Sequence, residues 1–140
     1  MSIRLTPYAI MNGNSKEAIK YYQDVLGAEL LVMQTYGELP GDGGTIPEAA
    51  KNIVAHAMLK IGESNFVISD AFPGEPYIQG NNITIIIGID GIDQTKVIFE
   101  KLSSDGGQVV MPLMETFFTP AYGKVTDKFG VNFQIICEKK

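Results

Sequence analysis

An α+β fold of two successive modules, each running strand, helix, strand, strand, strand, is what the sequence predicts. Three features of the chain point there. Two amphipathic helical stretches each follow an apolar run and stop at glycine, and the segments after them, Gly27-Ala28-Glu29-Leu30-Leu31 and Gly107-Gln108-Val109-Val110, stand about eighty residues apart. The other apolar runs fall largely in pairs across short turns, the pattern of hairpins. At 140 residues the chain has the length of one domain, enough to bury roughly two thirds of the surface its unfolded form exposes. One domain over 1–140 is therefore expected, with module one at about 1–74 and module two at about 80–140. Few side chains match across the halves, so the repeat is one of order.

In the first module, Arg4 to Ile10 is apolar-rich and ends at Asn12-Gly13. Asn14 with Glu17 three residues later is a capping-box start for a helix from about Ser15. Its apolar positions Ala18, Ile19, Tyr22, Val25 and Leu26 recur at helical spacing, and Gly27 ends it because glycine takes the left-handed conformation at little cost. Ala28 to Thr35 reads as a strand, and Tyr36 to Asn52, rich in Gly and Pro, as a long loop. Ile53 to Ile61 and Asn65 to Asp70 form a hairpin about Gly62, Glu63 and Ser64.

After the Pro73-Gly74-Glu75-Pro76 breaker and Gly80-Asn81-Asn82, the second module opens with Ile83 to Ile89, a run so continuously apolar that it predicts a strand buried on both faces. Asp93 is read as the cap of a helix carrying Val97, Ile98 and Leu102 on one side and ended by Asp105-Gly106-Gly107. Gln108 to Leu113 follows as a strand. Ala121 to Thr126 and Val131 to Cys137 flank the turn Asp127-Lys128-Phe129-Gly130 as a last hairpin.

Composition narrows the function. With 45% hydrophobic and 19% charged residues the chain is ordinary globular material, which excludes a disordered or fibrous protein. Eleven basic against sixteen acidic residues give a net charge of -5, which opposes a phosphate backbone, so nucleic-acid binding is not expected. The apolar run Ile83 to Ile89 is far short of the ~20 residues that cross a bilayer, and MSIRLTPYAI lacks the apolar core of a signal peptide. A cytoplasmic protein without membrane partners is expected. The single Cys137 cannot pair within the chain, which fits a reducing compartment, and it is read as structural.

Several residues have the chemistry for a site. His56, the only histidine, is the one side chain whose ordinary pKa suits proton transfer near neutrality, though a strand histidine is also commonly a hydrogen-bonded structural group. Glu115 stands without neighbouring charges between apolar and aromatic residues, where a carboxylate either accepts a backbone donor or faces a pocket as a general base. Asp70 ends a strand before a Pro-Gly turn, equally a ligand anchor or a turn former, whereas Asp127 is most simply a turn residue. Phe117, Phe118, Tyr122 and Phe133, with Glu115 and Gln134 as polar neighbours, have the composition of a pocket for a flat or aromatic ligand. In that pocket Glu115 is expected to turn anions away. The loop Gly37 to Asn52 with Gly41-Asp42-Gly43-Gly44 lacks the Lys-Ser or Lys-Thr of a phosphate cradle, which leaves a lid or a plain surface loop.

The module order, together with residues along almost the whole chain, resembles the vicinal oxygen chelate superfamily of glyoxalase, bleomycin-resistance and dioxygenase folds, and within it the PhnB-like branch. The matching residues are Pro7-Tyr8 before Asn12-Gly13-Asn14, Tyr21-Tyr22 and Val25-Leu26-Gly27, His56 to Gly62, and Ser69-Asp70 before Pro73-Gly74. The most specific stretch is Met111-Pro112-Leu113-Met114-Glu115-Thr116-Phe117-Phe118 leading to Tyr122-Gly123-Lys124-Val125-Thr126-Asp127-Lys128-Phe129-Gly130-Val131. The chain departs from the branch at Phe118-Thr119, where Trp-Gly is usual, and at Phe133, where Trp is common.

The resemblance implies curved mixed sheets around a cup or barrel-like cavity. It also implies four places for metal ligands in metal-dependent members, which fall here at Pro7, Ser69, Thr84 and Gln134. None is histidine or carboxylate, so no metal and no cofactor are expected. The methyltransferase label the branch has carried finds no Gly-rich strand-to-helix turn here. The function that follows is metal-independent binding of a small organic ligand by a homodimer. The alternative is an enzyme of lyase or isomerase type using His56 and Glu115, or a metal-dependent member with an unorthodox site.

Overall fold

Residues 2–39 and 46–139 are described by the computed structural model. They form two compact units, Met1–Ile78 and Gln79–Lys140. In the first, β1 (Tyr8–Met11), α1 (Ser15–Leu26), β2 (Glu29–Thr35), β3 (Val54–Ile61) and β4 (Ser64–Asp70) follow one another, and the sheet order is β1-β4-β3-β2. β1 runs parallel to β4 while the other pairs are antiparallel, so the sheet is mixed. α1 covers one face. Its Ala18, Ile19 and Tyr22 are buried over Ala57, Leu59 and Ile68, and the Tyr22 ring meets Phe66 edge-on at 5.4 Å. Gly27 ends α1 at φ 66, as the sequence predicts, and the amide of Ala28 donates to Tyr22 O.

The helix start differs from expectation. The Asn14 side chain makes no cap hydrogen bond. A strand residue replaces the local capping box: Asp70 Oδ1 accepts from the Ser15 amide at 2.9 Å and from Ser15 Oγ at 2.7 Å. Its other oxygen accepts from the Val54 amide at 2.8 Å, so one carboxylate ties α1, β3 and β4 together. The long loop after β2 contains two short 3-10 turns, Tyr36–Glu38 and Glu48–Ala50, and its ends are joined by the bonds Tyr36 N to Ile53 O and Gly37 N to Lys51 O. The Gly41-Asp42-Gly43-Gly44 segment lies outside the described residues.

The second unit contains β5 (Ile85–Asp90), α2 (Ile92–Ser103), β6 (Gln108–Met114), β7 (Tyr122–Thr126) and β8 (Asn132–Lys139), in sheet order β5-β8-β7-β6. Again the first strand runs parallel to the last and the others are antiparallel. Both units thus share one topology. Neither sheet closes on itself, and register shifts in the β2–β3 and β6–β7 pairs are the kind of bulge that bends a strand.

Two expectations for this unit are corrected. Ile83 to Ile89 is not buried on both faces: Ile83 is 76% exposed and Ile86 62%. β5 is the outer strand of its sheet, so only the residues facing α2 are covered. Asp93 lies inside the first turn of α2 and does not cap it; the helix starts from Gly91 at φ 94, with Thr95 Oγ1 donating to Gly91 O at 2.7 Å. Thr95, Ile98, Phe99 and Leu102 form its buried stripe, which leaves Val97 exposed. Asp127 is the turn residue expected, its Oδ1 accepting from the amides of Phe129 and Val131.

Candidate functional site

With a helix on one face of each sheet, strand alternation sends every second side chain to the other face. In the first unit Ala57, Leu59, Phe66 and Ile68 lie under α1, so His56, Met58, Val67 and Ser69 belong to the face without a helix. Tyr8, paired with Val67, joins them, and Tyr8 Oη donates to Ser69 Oγ at 2.9 Å. In the second unit Gly123, Val125, Ile135 and Cys137 are buried on the α2 side. Phe99 lies so close over Gly123 that a Cβ there would meet its ring at 2.8 Å. The opposite face then carries Tyr122, Lys124 and Thr126 from β7, Asn132 and Gln134 from β8, and Ile86 from β5.

Gln134 stands in the middle of this face, paired with Lys124 on one side and Ile86 on the other. Its Oε1 accepts a hydrogen bond from Tyr122 Oη, and its Nε2 donates to Thr84 Oγ1 at 2.6 Å. The two units therefore use these positions alike, with Ser69 bonded to Tyr8 and Gln134 to Thr84 and Tyr122. These residues do not fit a metal ion. Pro7 has no side-chain donor, the other three places are neutral, and their oxygens already accept hydrogen bonds from one another or from tyrosine. Among the described residues no three His, Cys, Asp or Glu side chains converge.

Beside Gln134 a cavity of about 560 Å³ opens in the second unit, lined by Thr84, Gln108, Lys124, Thr126, Asn132 and Phe133 among others. Asn132 is held in place: its Oδ1 accepts from Thr126 Oγ1 and its Nδ2 donates to Gly80 O, both at 2.8 Å. Toward the other end of β7 stand the aromatic residues. A turn closed by the bond from Thr116 N to Thr119 O, with Thr116 Oγ1 accepting from the amides of Phe118 and Thr119, presents Phe117 and Phe118. Ring centroids are 5.1 Å apart from Phe117 to Phe118 and 5.4 Å from Phe118 to Tyr122. Thr119, buried in place of the usual glycine, donates to Cys137 O at 2.5 Å and anchors the turn to β8.

The remaining candidates are dispersed. Phe133, 2% exposed, is part of the core and meets the cavity only at its wall, so three of the four expected rings stand together. Glu115 is exposed, not enclosed among apolar residues. It lines a separate cleft of about 430 Å³ with Lys96, Phe99, Glu100 and Leu113, and is not part of the larger cavity. His56 is half-buried in the first unit, opposite Gln34, and its ring makes no hydrogen bond or ion pair among the described residues. Asp70 is 2% exposed with both oxygens engaged in the fold. Lys124, Thr126 and Asn132 escaped the sequence reading, and Thr84 entered it only as a place for a metal ligand. The alternation of Tyr122-Gly123-Lys124-Val125-Thr126 was the available signal, since it places Lys124 and Thr126 on the face of Tyr122.

Comparison with known proteins agrees with this architecture. The family model of the Glyoxalase/Bleomycin resistance protein/Dioxygenase superfamily matches residues 4–135. The chain is 37% identical to Protein YjdN of Escherichia coli (strain K12) over 142 residues, covering 94% of this chain and 92% of that protein. The crystal structure of protein PA1353 from Pseudomonas aeruginosa superposes with a TM-score of 0.87 at 34% identity, covering 99% of this chain and 100% of the other. The PhnB protein from Bacillus cereus shares the fold, with a TM-score of 0.78 at 21% identity over 96% of this chain and 99% of that one. Helix-backed mixed sheets in strand-helix-strand-strand-strand order, matched by sequence along nearly the whole chain, make this protein a member of the Glyoxalase/Bleomycin resistance protein/Dioxygenase superfamily.

Proposed function

We propose that this chain is a PhnB-like, metal-independent member of its superfamily that binds a small organic molecule on the helix-free face of the second sheet. The observation that carries this reading is the closed hydrogen-bond chain Tyr122–Gln134–Thr84. It occupies the donors a metal would need and leaves a polar-walled cavity next to them. Phe118 and Tyr122 form the surface for a flat part of the ligand, since ring faces stack with offset or edge geometry over a large apolar area. Tyr122 and Thr126 are four residues apart, about 13 Å at the rise of a strand, which is the length of a molecule of two or three rings. Asp70, with its carboxylate committed to Ser15 and Val54, is assigned to the fold and not to the ligand.

A thermal-shift screen of chelator-treated protein tests this. Planar heteroaromatic compounds raise the melting temperature through linkage, and Phe118→Ala diminishes that rise. The reading fails if no compound stabilises the protein, or if stabilisation appears only once a divalent metal is added. The alternative of a lyase or isomerase using His56 and Glu115 lacks a comparable observation: among the described residues neither side chain has a hydrogen-bonded partner for proton relay. We also propose a homodimer within a single-domain chain, supported by exposed Leu5, Ile78 and Ile83, and by the self-pairing common in two-module proteins of this kind. Sedimentation of a monomer at micromolar concentration would contradict it.

A further inference from the structure

We propose that the cavity of the second unit takes a ligand bearing an oxyanion, of carboxylate or phosphonate type, with the ammonium group of Lys124 as its counter-ion. This rests on the small-molecule reading of the same face and names the ligand's chemistry. Lys124 is the single charged side chain among the described residues lining the cavity, and no carboxylate lines it. The side chain is half-buried and, among the described residues, makes no ion pair or hydrogen bond. Its neighbours cannot neutralise it. Across the strand, Gln134 uses its oxygen on Tyr122 and its amide on Thr84. Thr126 and Asn132 bond each other, and Asn132 also bonds Gly80 O.

The carboxylate of Glu138, on the same face, leans over Gly88 of β5, where a Cβ would meet its Cδ at 2.4 Å. Glu115 lines the α2 cleft instead of this cavity, which removes the ground for expecting anions to be refused. In a chain of net charge -5, a part-desolvated ammonium among neutral amides and hydroxyls is a local positive centre. The donors it leaves open suit an acceptor-only group. An oxyanion seated there has the aromatic pair Phe118 and Tyr122 along the same strand face to receive an attached ring.

The test is calorimetric titration of chelator-treated wild type, Lys124→Met and Lys124→Arg with four probes that share one ring: benzoate, phenylphosphonate, benzamide and benzamidine. Wild type binds an oxyanion probe more tightly than benzamide, and Lys124→Met weakens that binding by about tenfold. Lys124→Arg retains it, benzamide is unaffected by either change, and added salt weakens only the oxyanions. Whichever of benzoate and phenylphosphonate binds more tightly identifies the oxyanion. Equal oxyanion binding by wild type and a folded Lys124→Met protein overturns the assignment, as does preference for benzamide or benzamidine, and in both cases small-molecule binding itself survives. Failure of all four probes to bind the folded wild type at millimolar concentration overturns the assignment and counts against the broader reading as well. Circular-dichroism melting confirms that each variant is folded.

Discussion

Three donors converge on the carboxylate of Asp70: the amide and hydroxyl of Ser15 on one oxygen and the amide of Val54 on the other. The group lies at the start of α1, where a negative charge also complements the helix dipole. Asp70→Ala strands two amides and a hydroxyl in a buried place, and should cost about 3 kcal/mol in urea unfolding. Ser15→Ala, which removes one hydroxyl donor, should cost about 1 kcal/mol. Tyr36 gives a second residue-scale prediction. Its Oη donates to Asp70 O at 2.9 Å, and burial first, then the neighbouring Tyr8, Glu75 and Asp70, hold its phenol above the ordinary value. A group raised in the fold contributes stability that is fully present below its unfolded pKa, about 10, and is lost as pH rises through the folded value. Stability should therefore decline as pH rises above about 10, and Tyr36→Phe should flatten that decline at a cost of about 1 kcal/mol near neutrality. Asp70 and Glu115 show the limit of reading single residues. Each looks like a pocket carboxylate in sequence, but which donors or solvent it meets depends on strands and helices far away along the chain.

Elements were more legible than residues, because periodicity and glycine stops are local. The span of α1, its stop at Gly27 and the Asp127 turn follow directly from spacing and backbone chemistry. The first strand of the second unit did not, because a run of isoleucines records the demand of one packed face and not the number of faces covered. α2 illustrates packing that sequence spacing cannot reveal. Phe99 sits on Gly123, so Gly123→Ala should force the helix and β7 apart and cost about 2 kcal/mol by thermal denaturation. The turn holding Phe118 depends on Thr119, buried and bonded to Cys137 O. Thr119→Val should lower stability by about 1 kcal/mol and also weaken ligand-induced stabilisation, because the Phe117-Phe118 tip loses its anchor. Equal ligand response in a destabilised Thr119→Val protein would separate the turn from binding.

Across the whole molecule, the order of elements announced the architecture, and two units with the same strand order followed. The cavity was not readable in advance because its walls come from the segment before β5, the start of β6, the end of β7 and the start of β8, which only register brings together. No helix among the described residues is long and apolar enough to cross a membrane. The hydrogen bonds that join Tyr8 to Ser69 and Gln134 to both Tyr122 and Thr84 give the account its central claim, that these positions serve structure and ligand recognition without a metal. Calorimetric titration of nickel, zinc, manganese and iron(II) into chelator-treated protein tests it most directly. The account predicts no stoichiometric binding of any of the four, with wild type and His56→Asn giving the same trace. One equivalent of metal bound tightly per chain, and lost in His56→Asn, would contradict it.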